Sequence, residues 1–463
     1  MGIRDYSIPE SFITALKKGV KGFKILSSKN QALLAYYIWE SNSRKYRHKK
    51  HQGYMSIGYL ELDKGFGRGQ FTSINDNLNI FIVTNWRWST DGIEVDSKTK
   101  ATKGYKLTEH VQKVKDDYLA LTKPKLSRLI TLDGKVMHTL PDAIASKNRE
   151  GVTATAWKDA KNMLPNSIPV DLGKMCALYE HLKKIPQNQT GDLFHDAEDF
   201  DIVYRMEILR QLIRLAHTSV AGKAFIAQRY IESRAGRLYA TGISLQTAPR
   251  TIRSVALHGL YDYDIENCHY AIFSQLTARY GFECEAINYY LTNKHMLRDA
   301  LASSVGITLN QVKMCLLAIM YGATRNIWHD NAIPEEIGKT KAEALYKIPH
   351  FKSIGDEILI GRELILKNWV KGRSTLINDM GKYIKLEEPP NKKLAHITQG
   401  LEAKALKAAF TAYSADIVLL MHDGFVSKRR LDIPFIEEAI YNATGLNLKM
   451  DHKQIQLPAN FDL

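Results

Sequence analysis

The sequence predicts an α+β chain, largely helical, in which a small N-terminal domain and a helical middle precede a larger domain of helices laid on short strands. Three observations carry this. Apolar residues recur at helical spacing over most of the chain. Strand-length apolar runs stand at residues 80–83, 261–265 and 417–421. Carboxylates sit where two of these runs end, at Asp264 and Asp423.

The 463 residues suffice for two or three domains with a sizeable core, and 45% apolar content is ordinary for a globular protein. A net charge of +15 favours a polyanionic partner. Cys176, Cys268, Cys284 and Cys315 lack metal-ligand spacing and read as buried, reduced thiols. No signal-peptide h-region follows Met1, and no apolar run approaches the roughly 20 residues of a membrane span. The expectation is a monomer in the cytoplasm, or in a host-cell, nucleoid or organellar matrix, with no membrane partner.

From the N-terminus, residues 29–41 read as a helix, and a basic run occupies 44–51. Residues 56–64 and 70–79 read as two further helices around a glycine-rich turn at 65–69. Two strands at 80–83 and 103–107 flank a polar stretch at 85–102. That order is the plan of a winged helix-turn-helix, expected over residues 1–110. Gln70, Thr72, Ser73, Asn75 and Asn77 are its candidates for bonding base edges or phosphates; a domain that packs or binds protein is the plainer alternative. Residues 111–230 read as a helical, thumb-like or linker region broken by prolines. Helices are expected there at 199–217 and 220–234, and the stretch carries no evident chemistry.

The chemistry lies in residues 231–463. In Tyr261-Asp262-Tyr263-Asp264 the two carboxylates share one face of a strand, and the pattern then turns helical through Tyr270, Ile272, Phe273 and Leu276. Asp264, at the junction, is the preferred metal ligand and Asp262 the alternative. In the second segment Lys313, Leu317 and Tyr321 lie on one helical face, closed by Gly322 as a C-cap. A lysine there can hold a triphosphate or protonate leaving pyrophosphate, and the tyrosine can flank a base pair. In the third, an apolar run delivers His422 and Asp423 into a turn at Gly424, as in a hairpin with Asp423 at its tip. Carboxylates on two strands can share two metal ions. Singly, each segment is equally well a surface pair, a core helix or a core strand.

The ordered set resembles the palm of the single-subunit polymerases, over roughly residues 230–463. Gly236-Arg237-Leu238, followed by Leu245-Gln246 and Pro249, resembles the segment before motif A of family A DNA polymerases. Arg250 and Arg253 resemble the basic residues between that segment and motif A. Lys313, with Tyr321 and Gly322 eight and nine residues on, resembles motif B. Gln399-Gly400 resembles the helix start before motif C, and His422-Asp423 the motif C pair. Phage-type single-subunit RNA polymerases match as well, through Asp264 followed by Phe273-Ser274, through Gly236 to Ala240, and through His422 to Phe425. Phe461, near the C-terminus, is similar to their aromatic C-terminal foot.

The resemblance implies a right-hand architecture of palm, fingers and thumb, with fingers at about 277–395, and a nucleotidyltransferase using two Mg2+ ions, with Mn2+ as a substitute. Asp264 and Asp423 would hold the metal. Lys313, Tyr321, Gly322, His269, Arg298 and Arg325 would meet the nucleotide. Arg237, Gln246, Arg250, Arg253, Gln399 and His422 would meet template or primer. His269 stands where the DNA polymerases carry a glutamate that excludes the ribose 2′-hydroxyl, which favours ribonucleotides unless the imidazole fills that space. Leu309 stands where an arginine usually binds the triphosphate, leaving Arg298 or Arg325 to substitute. Leu317 replaces a frequent aromatic.

The preferred function is therefore a compact DNA-directed RNA polymerase or primase. The alternative is a family A-like DNA polymerase without proofreading, and a third reading is a winged-helix replication protein with a degenerate palm. Partners would be a DNA template, nascent RNA or DNA, nucleoside triphosphates, and replication or transcription factors.

Overall fold

A computed structural model describes residues 7–41, 54–86, 102–120, 129–132, 134, 136–137, 155–185, 202–218, 222–327, 331–458 and 461. The basic run at 44–51, most of the expected wing and the last two residues lie outside them. Among the described residues no single helix is long and apolar enough to cross a membrane.

Near the N-terminus, helices form at Ser28–Trp39, Tyr59–Phe66 and Gln70–Leu78. Gly67 (φ 103°) and Gly69 (φ 72°) make the turn between the last two in left-handed conformations that only glycine adopts cheaply. Strands Phe81–Trp86 and Thr102–Leu107 pair antiparallel, and Met55–Ser56 joins the second of them. Gln70, Thr72, Ser73 and Asn77 are exposed. Asn75, expected at a base edge, is buried instead: its side chain accepts from Phe81 N (2.7 Å) and donates to Phe81 O (3.0 Å). An amide spent on the backbone cannot also read a base.

The middle of the chain departs from the helical expectation. A helix does form at Ile202–Leu215, but residues 220–234 form none. Ala224–Ala227 is the centre of a three-stranded antiparallel sheet between Ser167–Val170 and Ala216–Thr218. Tyr230–Glu232 pairs with Leu238–Ala240 in a hairpin turned at Gly236 (φ 101°). Apolar and aromatic residues of this stretch fit either period locally, and the distant strand at 167–170 decides between them. Lys115 ties this region to the N-terminal helices. It is fully buried, donates to Trp39 O (3.2 Å) and Ser41 Oγ (2.7 Å), and pairs with buried Glu207.

The C-terminal half is built from α1 (Arg250–Ala256), β1 (Tyr261–Ile265), α2 (Cys268–Arg279), α3 (Glu285–Thr292), α4 (Lys294–Val305) and α5 (Leu309–Met320). It continues through α6 (Pro349–Asn368), α7 (Pro390–Ala412), β2 (Ile417–Leu420), β3 (Gly424–Ser427), α8 (Ile433–Thr444) and β4 (Met450–Gln454). The four strands form one antiparallel sheet in the order β2-β3-β1-β4. Its register sets Asp264 opposite Gly424 on one side and opposite Asp451 on the other.

Two hydrophobic cores meet at this sheet. Tyr263, Ile265, Ile417, Leu420, Phe425 and Met450 pack into the core of α2 to α8. Val418, Leu419, Val426 and Ile455 pack into a core shared with the N-terminal and middle regions. Tyr263 pins the register: its ring stacks on Phe425 at 5.0 Å and its hydroxyl accepts from Leu431 N at 2.6 Å. Helix α5 starts at a capping box in which Thr308 and Gln311 satisfy each other's backbone N–H groups.

Candidate active site

Strand alternation sends Tyr263 and Ile265 into the core and Asp262 and Asp264 to the opposite face. The β2–β3 hairpin brings its tip to the end of β1, where Ile265 N donates to Asp423 O at 2.8 Å. Asp264 and Asp423, 159 positions apart by number, therefore stand together on the floor of a cleft of about 670 Å3. Gly424 makes this possible, since a Cβ there would overlap the Tyr263 carbonyl oxygen and the Asp264 carboxylate.

Water in the cleft reaches both carboxylates, but the walls crowd them. Burial, then Asp262, then Asp423 push the Asp264 carboxyl up to about 7. Asp423 is raised too, first by burial and then by Glu402. The folded chain thus holds the Asp264 proton more tightly than the unfolded chain, whose value is 3.8. Its contribution to stability is fully present below that value and is lost as pH rises through about 7. Asp264→Asn should therefore raise Tm by about 1–2 °C at pH 8 in chelator and leave it nearly unchanged at pH 4. Equal shifts at the two pH values, read by thermal melting, would show that the carboxylate is not destabilised in the fold.

Cations face this floor. Lys313 of α5, Arg298 and Lys294 of α4, Arg250 and Arg253 of α1, and Lys453 of β4 all line the cleft. Arg298 is held by Asn267 Oδ1 (2.9 Å) and, through Nε, by the Tyr290 hydroxyl (3.1 Å). Asn267 sits in a left-handed conformation (φ 45°) between β1 and α2, which aims its side chain at that guanidinium. Lys294 pairs with Glu266 at 2.8 Å, and Lys453 lies 3.6 Å from Asp262.

The other expected residues divide. His269, in the first turn of α2, lines the cleft. Tyr321 follows α5 and brings its hydroxyl within 3.3 Å of His269 Nε2. Gly322 (φ 91°) backs onto Asn391. Arg325 does not line the cleft; it donates to Lys352 O (2.8 Å) and pairs with Asp356. Arg237 is bound to buried Glu402 and Gln246 is buried, donating to Leu238 O (3.1 Å) and Leu420 O (2.9 Å), so both spend their polar groups inside the protein. Half-buried Gln399 lies on α7, and the ring of half-buried His422 packs 4.6 Å from Tyr239; neither lines the cleft. Phe461 is buried with its ring 5.5 Å from that of His181, while residues 454–458 line the cleft.

Sequence reasoning missed Glu402, Asp451, Lys453 and Asn267. Glu402 did carry a signal: it falls four residues after Thr398 on a helix stripe otherwise made of buried small and apolar residues. A carboxylate on such a stripe needs a buried partner.

No family profile and no curated protein matches the chain. Among solved structures it is similar to the POL domain of Pol1 from M. smegmatis in complex with DNA primer-template and dNTP, at 14% identity. That match covers 64% of this chain and 68% of the other, with a TM-score of 0.41.

The metal ions of a polymerase can be tested against these residues. Among the described residues no group of three or more histidine, cysteine or acidic side chains is placed to hold a metal. Mg2+ commonly takes one or two protein carboxylates and completes its shell with phosphates and water. Two mutually repelling, water-accessible carboxylates, kept apart from any side chain by Gly424, fit that requirement.

Proposed function

We propose that this protein is a template-dependent nucleotidyltransferase, and most specifically a DNA-directed RNA polymerase or primase. The observation that carries the reading is the placement of Asp264 and Asp423 side by side beneath a cleft rimmed by Lys313, Arg298, Arg250 and Arg253. The motif order supports it, because residues far apart in sequence meet at one site.

In this reading Asp264 and Asp423 hold two Mg2+ ions with the phosphates of the substrate. When bound, these ions would lower the pKa of an attacking 3′-hydroxyl and neutralise the leaving pyrophosphate. Lys313 and Arg298 grip the triphosphate from two helices, and Lys313 can protonate the departing group. Arg298 takes the place that Leu309 leaves without a cation. Arg250 and Arg253 neutralise the backbone of the template or primer. The N-terminal helices, with Gln70, Thr72, Ser73 and Asn77 exposed, offer a further DNA contact.

Arg298→Ala should raise KM for the incoming nucleotide about tenfold, as expected for losing a charge-assisted hydrogen bond, and change kcat far less. Steady-state single-nucleotide kinetics checks this; an unchanged KM removes Arg298 from the triphosphate site.

The deciding experiment is extension on a single-stranded DNA template with Mg2+, using rNTPs or dNTPs separately, each with and without a primer. Product from rNTPs without a primer supports the polymerase or primase reading. Product from dNTPs on a primer alone favours the DNA polymerase alternative. No product under any condition leaves the chain a DNA-binding replication protein.

A further inference from the structure

A closed polar chain ends at one wall of the cleft. Glu402, on α7, is 1% exposed. Its Oε1 accepts from Arg237 Nε at 2.6 Å, and its Oε2 meets Arg237 Nη2 at 2.5 Å and His269 Nε2 at 2.6 Å. The Tyr321 hydroxyl lies 3.3 Å from His269 Nε2 and 3.5 Å from Nδ1. Of these four residues, His269 is the one that lines the cleft.

Hydrogen-bond chemistry fixes the direction of the chain. Burial opposes the charge on Glu402, yet His269 and Arg237 hold its carboxyl below the usual range, so it is ionised and only accepts. A guanidinium only donates. His269 Nε2 therefore carries a hydrogen and gives it to Glu402. In the neutral ring that leaves Nδ1 with its lone pair, an acceptor at the cleft wall. Arg237 and Glu402 already balance each other, so the third member is what turns a buried ion pair into a device reaching the substrate.

We propose that Glu402 is a positioning residue that fixes His269 in its Nε2–H form. Nδ1 then accepts a hydrogen bond from a sugar hydroxyl of the incoming nucleotide and favours ribonucleotides over deoxyribonucleotides. A site built to bond a hydroxyl rejects the analogue that lacks it, because its own polar group is left unpaired. This inference rests on the nucleotidyltransferase reading.

The test uses the full chain in single-nucleotide addition on a primed DNA template, with kcat and KM measured for each ribonucleotide and its deoxy counterpart. Wild type should favour ribonucleotides. Glu402→Gln should lower the ribo-to-deoxy ratio of kcat/KM about tenfold, carried by KM. Glu402→Asp keeps the charge beside Arg237, and so the fold, but withdraws it from His269 by one methylene; it should lower the ratio likewise. Two-bond 1H–15N correlations of the imidazole should show Nε2–H for His269 in the wild type and a tautomer mixture in both variants.

A ratio and tautomer unchanged in both variants overturns the proposal, as does a wild type that prefers deoxyribonucleotides. A wild type that adds neither class overturns the nucleotidyltransferase reading and this proposal with it. That result is distinguishable because it precedes any variant.

Discussion

Asp423→Asn should lower single-nucleotide addition about a thousandfold and leave the Kd for primer-template within about twofold. The amide has the shape of the carboxylate but no charge, and losing one of two anionic ligands removes several kcal/mol of charge stabilisation at the reacting phosphate. Nucleic-acid binding should persist because Arg250 and Arg253 stand on α1, away from the hairpin tip. The fold should persist too. Asp423 is a crowded carboxylate raised above its ordinary value, so neutralising it relieves repulsion with Glu402. Rapid-quench kinetics and a binding titration on one preparation check both halves. Synthesis within tenfold of wild type would take Asp423 out of the mechanism.

Gly424→Ala tests the same site through packing alone. The added methyl would meet the Tyr263 carbonyl oxygen and the Asp264 carboxylate, both anchored in β1. β3 must then move off β1, or Asp264 must turn away from Asp423. Overpacking of this kind costs about 1–3 kcal/mol. Addition should fall at least a hundredfold, on the order of the effect of a misplaced reacting group. Calorimetry should show a lower Tm, separating this variant from Asp423→Asn. Wild-type activity and Tm together would mean that the two strands are not held this close.

The floor of the site was legible in the sequence because it is made of local patterns. The Tyr-Asp alternation at 261–264 marks its own outward face, and the apolar run before Asp423 marks a buried strand ending in a turn. The capping box and the Lys313–Tyr321 spacing did the same for α5. What surrounds the floor was not legible. Arg237 and Gln246 were expected at nucleic acid because their segment resembles one that serves there, but Glu402 and Leu420 claim them from 165 and 174 positions away. The strands at 224–227 and 230–232 were read as helix for the same reason, since their partners lie elsewhere in the chain. Asn267 was passed over because a left-handed residue leaves no periodicity.

The alternation in β1 has a consequence for tolerance to error. A slip of one residue would bury both aspartates, whereas a slip of two would seat Asp262 opposite Gly424 and Tyr261 where Tyr263 now stacks. The strand thus carries a spare copy of its own motif. Only the Tyr263 hydroxyl, held by Leu431 N, distinguishes the two alignments at that end of the sheet. Tyr263→Phe would leave the stacking in place and remove that distinction, turning a single working register into a choice between two.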